Sequence, residues 1–150
     1  VCGGNSGEYE VSMGSGRVAY QNIDSEKYDT YLVEVRAQDW KYISETGDAV
    51  KINKSDFSLD LNGKHIKFDG VFNAIHGTPG EDGKLQGYFD LLGIPYTSCG
   101  VDSSALSFNK FLCNHFIQSF GIKTARSFSF VKGERIVKED VIEELGLPLF

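Results

Sequence analysis

Two hydrophobic periods alternate along this chain and lay out its elements. Val71-Phe72-Asn73-Ala74-Ile75 is a near-continuous apolar run, the pattern of a strand covered on both faces. It enters a turn, His76-Gly77-Thr78-Pro79-Gly80-Glu81-Asp82-Gly83. Leu85, Phe89 and Leu92 then recur at i, i+4 and i+7, which predicts a helix closed by Gly93. The start of the chain repeats this succession. Val1-Cys2 reads as a strand end, and Gly3-Gly4-Asn5-Ser6-Gly7-Glu8 as a second glycine-rich turn. Val11, Gly14, Ser15, Val18 and Ala19 follow at helical spacing, with Ser6 or Asn5 as the N-cap. Residues 28–35 predict a strand. Alternating segments 40–43 and 49–52 flank Thr46-Gly47-Asp48, and 57–61 and 65–68 flank Asn62-Gly63, the strongest short hairpin signal. His65 falls on the solvent side of that second hairpin.

Residues 94–97 predict a short strand. A long helix follows from Asp102 to about Phe120, with Leu106, Asn109, Leu112, Cys113, Phe116, Ile117 and Phe120 along one side. Residues 127–131 predict a strand, and 137–145 a helix ended by Gly146. Leu147-Pro148-Leu149-Phe150 opens a further strand. Strand–turn–helix units of this kind predict an α/β fold around a parallel sheet with hairpins inserted. The pattern changes near Gly100. An unfinished element at each end, with no initiator Met, is expected of a fragment.

The 150 residues suit one domain, or one and part of another. A net charge of −6 argues against a nucleic-acid surface, which is ordinarily basic. No apolar run reaches the ~18 residues of a membrane span. The three cysteines, Cys2, Cys99 and Cys113, are an odd number without metal-ligand spacing, as expected of reduced thiols in a cytoplasmic protein.

The turn after 71–75 is the first candidate site, because ligands of open α/β sheets lie beyond the carboxyl ends of the strands. Its glycines allow close approach to the backbone, and free N–H groups at the helix start would favour an anion. His76 at its lip can donate to a carboxylate or phosphate. The same residues also suit a tight turn with a structural histidine. Glu8, in the first turn of its helix, suits either simple capping or a carboxylate held out to receive a cationic group. Lys110, among apolar neighbours, suits snorkelling or a phosphate contact. The aromatic stripe around it suits core or dimer contact.

Three blocks together resemble the D-alanine–D-alanine ligases of the ATP-grasp superfamily. They are Gly3-Gly4-Asn5-Ser6-Gly7-Glu8-Tyr9-Glu10-Val11-Ser12; His76-Gly77 through Gly83 with Leu85-Gln86-Gly87 and Gly93-Ile94-Pro95-Tyr96; and Ser103 through Lys110. The resemblance implies a Rossmann-like, pre-ATP-grasp domain over 1–98 and the beginning of an ATP-grasp central domain over 99–150. It implies that two D-alanines are joined at the cost of ATP through an acyl phosphate, for peptidoglycan synthesis. Glu8 matches the family glutamate that holds the ammonium of the first D-alanine, and His76 the histidine near its carboxylate. Val11, Ser12 and Gly77 complete the implied substrate set, and Lys110 matches a lysine on ATP phosphate. A homodimer and magnesium or manganese are implied as well, with metal ligands expected past Phe150. Asn109 departs from the acid usual in the family. Two other readings stay open on these residues: a different ATP-grasp carboxylate–amine ligase, and a non-enzymatic, flavodoxin-like anion-binding module.

Overall fold

The computed structural model describes residues 1–147, which cluster into two compact units, residues 1–105 and those from 106 on. In the first unit, β1 (Cys2–Gly3) is followed by α1 (Tyr9–Asn22), β2 (Val33–Arg36), β3 (Asp39–Ile43), β4 (Ala49–Lys51), β5 (Ser58–Leu61) and β6 (Lys64–Lys67). Then come β7 (Val71–Phe72), α2 (Lys84–Leu92), β8 (Tyr96–Thr97) and α3 (Val101–Phe108), inside which the unit boundary falls. β1 pairs in parallel with β2, Cys2 opposite Glu34, and β7 in parallel with β8, Val71 opposite Tyr96. Val1 joins the two pairs. Its amino group donates to Phe72 O at 2.7 Å, and Ala74 N donates to Val1 O at 2.9 Å. The parallel centre therefore runs β8–β7–β1–β2, with α1 carrying the crossover from β1 to β2 and α2 that from β7 to β8, while the two hairpins lie between β2 and β7. β3 and β4 extend it antiparallel beyond β2. β5 and β6 form a second hairpin, turned at Asn62 and Gly63, both at positive φ (52° and 76°), as a type I′ turn requires.

The expected mixed α/β architecture, with a parallel centre and two hairpins, is therefore present. Val35, Leu59, Val71, Leu85 and Phe89 pack from strands and α2 around Phe57, which is 2% exposed. Gly93 ends α2 in the left-handed conformation (φ 68°), as its position in the sequence indicates. Among the described residues no helix is long and apolar enough to cross a membrane.

Several expectations need correction. α1 keeps the expected period but not the expected phase. Its buried residues are Ser12, Met13 and Gly16, while Val11 and Val18 are 59% and 61% exposed. The reason is space. A methyl group built on Gly16 would stand 2.4 Å from Cys2 Cβ and 3.0 Å from its Sγ, so only small residues fit under β1. Gly16→Ala in a helix interior would ordinarily gain about 1 kcal/mol. Here the clash is expected to reverse the sign and cost about 1–3 kcal/mol, read from the urea midpoint of unfolding. A stabilised variant would mean that β1 moves freely off the helix. Neither Ser6 nor Asn5 caps α1. The N-cap is Glu8, and the two side chains tie loops instead.

β2 starts at Val33, later than the sequence pattern suggests, and β7 pairs over only two residues. Asn73 explains the second: its side chain accepts from Ile75 N (3.2 Å) and donates to Gly80 O (2.8 Å), drawing the backbone out of the ladder. The single long helix of the 102–120 pattern is two helices, α3 and, in the second unit, α4 (Lys110–Gln118). Asn109 separates them with extended dihedrals (φ −87°, ψ 98°), its side chain accepting from Leu112 N at 3.1 Å as the N-cap of α4. An acid at this position would cap in the same way. α5 (Lys138–Leu145) matches the last expected helix. Residues 127–131 pair with no other strand among the described residues. The further strand expected from Leu147 on falls largely on 148–150, outside the described residues.

Candidate functional site

Two loops leave the carboxyl ends of neighbouring parallel strands and lace together. After β1, Gly4 takes φ 95°, and a side chain on it would run into Ile75 Cγ2 (2.8 Å) and Thr78 O (3.1 Å), so glycine lets the β1 loop approach the β7 loop. Asn5 N then donates to Thr78 O at 2.8 Å. Ser6 Oγ donates to His76 O at 2.8 Å and accepts from Glu8 N at 3.2 Å, so one hydroxyl links the backbones of Glu8 and His76. Gly77, at φ 76°, fits against these residues for lack of a side chain. A methyl group there would stand 2.6 Å from Ser6 Cβ and 3.5 Å from Glu8 Oε2. The exposed carboxylate of Glu8 thus lies over Gly77, the residue after His76.

The His76 imidazole is half-buried, with Nε2 3.0 Å from Ser15 Oγ on α1. Ser12, 0% exposed, is fully engaged: its hydroxyl accepts from Gly3 N and donates to Ala74 O, each at 2.8 Å. It fastens α1 to β1 and to the end of β7. Val11, on the open face of α1, is exposed. Lys110, at the start of α4 in the second unit, is exposed, with Nζ donating to Ser107 O at 3.1 Å.

The turn itself differs from the expected anion cradle. Gly77 N donates to Glu81 Oε2 at 2.8 Å, Gly80 N and Glu81 N to Gly77 O at 2.9 Å, and Leu85 N to Pro79 O at 3.1 Å. Asp82 pairs with Lys84, which holds its carboxyl below the usual range against the opposing effect of burial. Three of the turn's donors, Gly77 N, Gly80 N and Glu81 N, serve its own closure, and the Glu81 carboxylate occupies one of them. At the flank, Tyr9 donates to Glu34 Oε1 at 2.7 Å. Glu34 also faces Lys41 Nζ at 3.4 Å, and the Arg36 guanidinium stacks 4.2 Å from the Tyr9 ring. The carboxylate that accepts its proton pushes the Tyr9 phenol up. This network fixes the residue beside Glu8.

The sequence reading brings Glu8, His76 and Gly77 to one place. It does not single out Ser6 and Ser15. Their signal is only two serines at the start and second turn of a helix, which ordinary capping and spacing explain equally well. Among the described residues no three His, Cys, Asp or Glu side chains are grouped to hold a metal ion. A separate cavity of about 850 Å³ opens at the amino ends of the strands, beside Tyr28, Tyr31, Phe68 and Phe72, away from both loops.

Residues 1–99 match the family described as D-ala D-ala ligase N-terminus. Along its whole length the chain is 48% identical to the D-alanine–D-alanine ligase of Parabacteroides distasonis, of which it covers 46%. It is similar to the solved D-alanine-D-alanine ligase from Coxiella burnetii, at 26% identity and a TM-score of 0.80 over 97% of this chain and 48% of that one. It is also similar to the Bacillus anthracis D-alanine–D-alanine ligase crystallised in complex with ATP, at 28% identity and a TM-score of 0.67 over 98% and 43% of the two chains. The chain spans about half the length of the curated relatives it matches.

Proposed function

Because the chain belongs to the D-ala D-ala ligase N-terminus family, we propose that it forms the first-substrate edge of an ATP-dependent ligase joining two D-alanines for peptidoglycan synthesis. The observation that carries this reading is the placement of the Glu8 carboxylate over Gly77, next to His76, at the carboxyl ends of β1 and β7. D-Alanine offers an ammonium and a carboxylate a few ångströms apart. Glu8 receives the ammonium, and His76 donates toward the carboxylate oxygen that reacts. Gly77 leaves room between them, and Val11 lines the approach. Ser12 serves the site by holding α1 in place rather than by touching substrate.

The other parts of the reading rest on family likeness. Lys110 meets ATP phosphate, and the relative crystallised with ATP supports that cofactor. ATP with magnesium or manganese supplies the phosphoryl group and its charge neutralisation. The steps proposed for this chain are binding and orienting D-alanine and donating toward its reacting oxygen. The family match ending at residue 99 supports a division into a substrate domain over 1–98 and an ATP-grasp part over 99–150. We further propose a cytoplasmic homodimer. The exposed Val18 on α1 supports a contact through the helices of the first domain.

Phosphate release from ATP by the full-length protein, with D-alanine, L-alanine or no amino acid, tests the reading. Release that needs D-alanine and yields a dipeptide is the expected result. A folded, ATP-binding protein indifferent to D-alanine favours another ATP-grasp ligase. Glu8→Gln is expected to raise the D-alanine concentration for half-maximal rate about tenfold to a hundredfold, since a charged hydrogen bond contributes roughly 1.5–3 kcal/mol. Unchanged D-alanine dependence would remove Glu8 from the site.

A further inference from the structure

We propose that Ser15 is a positioning residue for His76: its hydroxyl donates to Nε2 and holds the ring as the tautomer with its proton on Nδ1. The Ser15 Oγ to His76 Nε2 separation is 3.0 Å, and both side chains are half-buried. Either group can in principle give the proton. The hydroxyl has one proton, and a helical serine ordinarily spends it on the carbonyl one turn back. Among the described residues, His76 Nε2 is the partner of this hydroxyl. Donation to Nε2 uses the hydroxyl proton, whereas accepting from an Nε2–H would leave it to solvent. A ring whose Nε2 accepts carries its proton on Nδ1, and Nδ1–H is then the donor available to a ligand.

The arrangement is rigid enough to matter. α1 is fastened beneath β1 by Ser12 and by the close approach of Gly16 to Cys2. The His76 main chain is fastened by Ser6 Oγ at 2.8 Å. His76 is thus held at its carbonyl by the first turn after β1 and at its ring by the second turn of α1. A rotation that freed the ring would cost the Ser15 bond, so the donor keeps one direction before substrate arrives. In catalysis this matters only if His76 faces D-alanine, so that part rests on the function proposed above.

The test is the ¹⁵N spectrum of histidine-labelled protein above the ordinary imidazole titration range. The His76 signals are assigned by their loss in His76→Ala. Wild type is expected to show a pyrrole-type Nδ1 and a pyridine-type Nε2. Ser15→Ala is expected to return the ring to the tautomer mixture of free histidine, and Ser15→Thr to restore the wild-type pattern. In the full-length enzyme, Ser15→Ala is expected to lower D-alanine-dependent kcat about tenfold with KM for ATP unchanged, and Ser15→Thr to recover most of the loss. A proton on Nε2 in wild type, or a spectrum indifferent to Ser15→Ala, overturns the proposal. Absence of D-alanine-stimulated phosphate release in wild type refutes the function proposed above instead, and the tautomer result still decides what Ser15 does.

Discussion

His76→Ala is expected to lower D-alanine-dependent turnover about a hundredfold while leaving the domain folded. The size follows from the role. A donor aimed at charge that develops on a reacting oxygen contributes roughly two to three orders of magnitude in kcat when it is fixed in advance. The survival of the fold follows from where His76 is held. The bonds that organise its loop end on main-chain carbonyls, from Ser6 Oγ to His76 O and from Gly80 N and Glu81 N to Gly77 O, and alanine keeps all of them. Among the described residues the imidazole makes one side-chain bond, to Ser15, whose hydroxyl then turns to water in a half-exposed position. The cost in stability is therefore expected near 1 kcal/mol or less. Turnover with saturating D-alanine, measured beside the thermal midpoint, separates the two effects. A large drop in midpoint with activity lost in proportion would make His76 a structural residue. A normal midpoint and normal turnover would remove it from the reaction.

The sequence made the frame of this site legible because glycine and period carry the information. Gly77 and Gly83 mark positive φ, and Gly93 marks the end of α2. Asn62-Gly63 announces its own turn type. Glu8 and His76 stand in turns after strands, so topology alone brings them to one edge. Phase was harder than period. Val11 and Val18 looked like the buried face of α1, yet the sheet lies so close that Ser12 and Gly16 are buried there instead, and the two valines face outward. Closeness of two backbones cannot be inferred from the hydrophobicity of either. Asn109 shows a second limit. An apolar period runs through it, but its side chain satisfies Leu112 N better as a cap than it could within a continuous helix. The turn expected to hold out free amides keeps fewer of them for a related reason. Whether an amide is free depends on which side chains fold back, and Glu81 takes the N–H of Gly77. Ser15 belongs to the same class, since its partner lies 61 residues away.

Phe57→Ala is expected to be the most destabilising truncation in the first unit, at about 3–5 kcal/mol. Phe57 is a residue the hydrophobic pattern placed only in a hairpin arm, yet it joins the hairpins to α2. Its ring meets Phe89 at 4.9 Å between centroids and Phe68 at 5.3 Å, with Tyr88 and Trp40 edge-on at about 6.1 Å and 6.2 Å. Those partners come from β3, the end of β6 and α2, so one side chain holds elements distant in sequence. The backbone supports the same conclusion. Phe57 sits at φ 51°, a conformation that a bulky residue adopts only where packing compensates its cost. Alanine keeps that strain and abandons the packing, and no neighbour can fill the space without leaving its own place in the aromatic cluster. For a unit of this size the loss corresponds to a fall in thermal midpoint of about 15 °C or more. Phe57→Leu, which keeps most of the volume, should recover over half of it. Urea unfolding of the two variants and wild type decides the matter. A loss below about 1 kcal/mol in Phe57→Ala would show that the cluster re-forms without its centre, and α2 with its preceding turn would then be held chiefly by Leu85 and by the Gln86 bond to Ser98 Oγ.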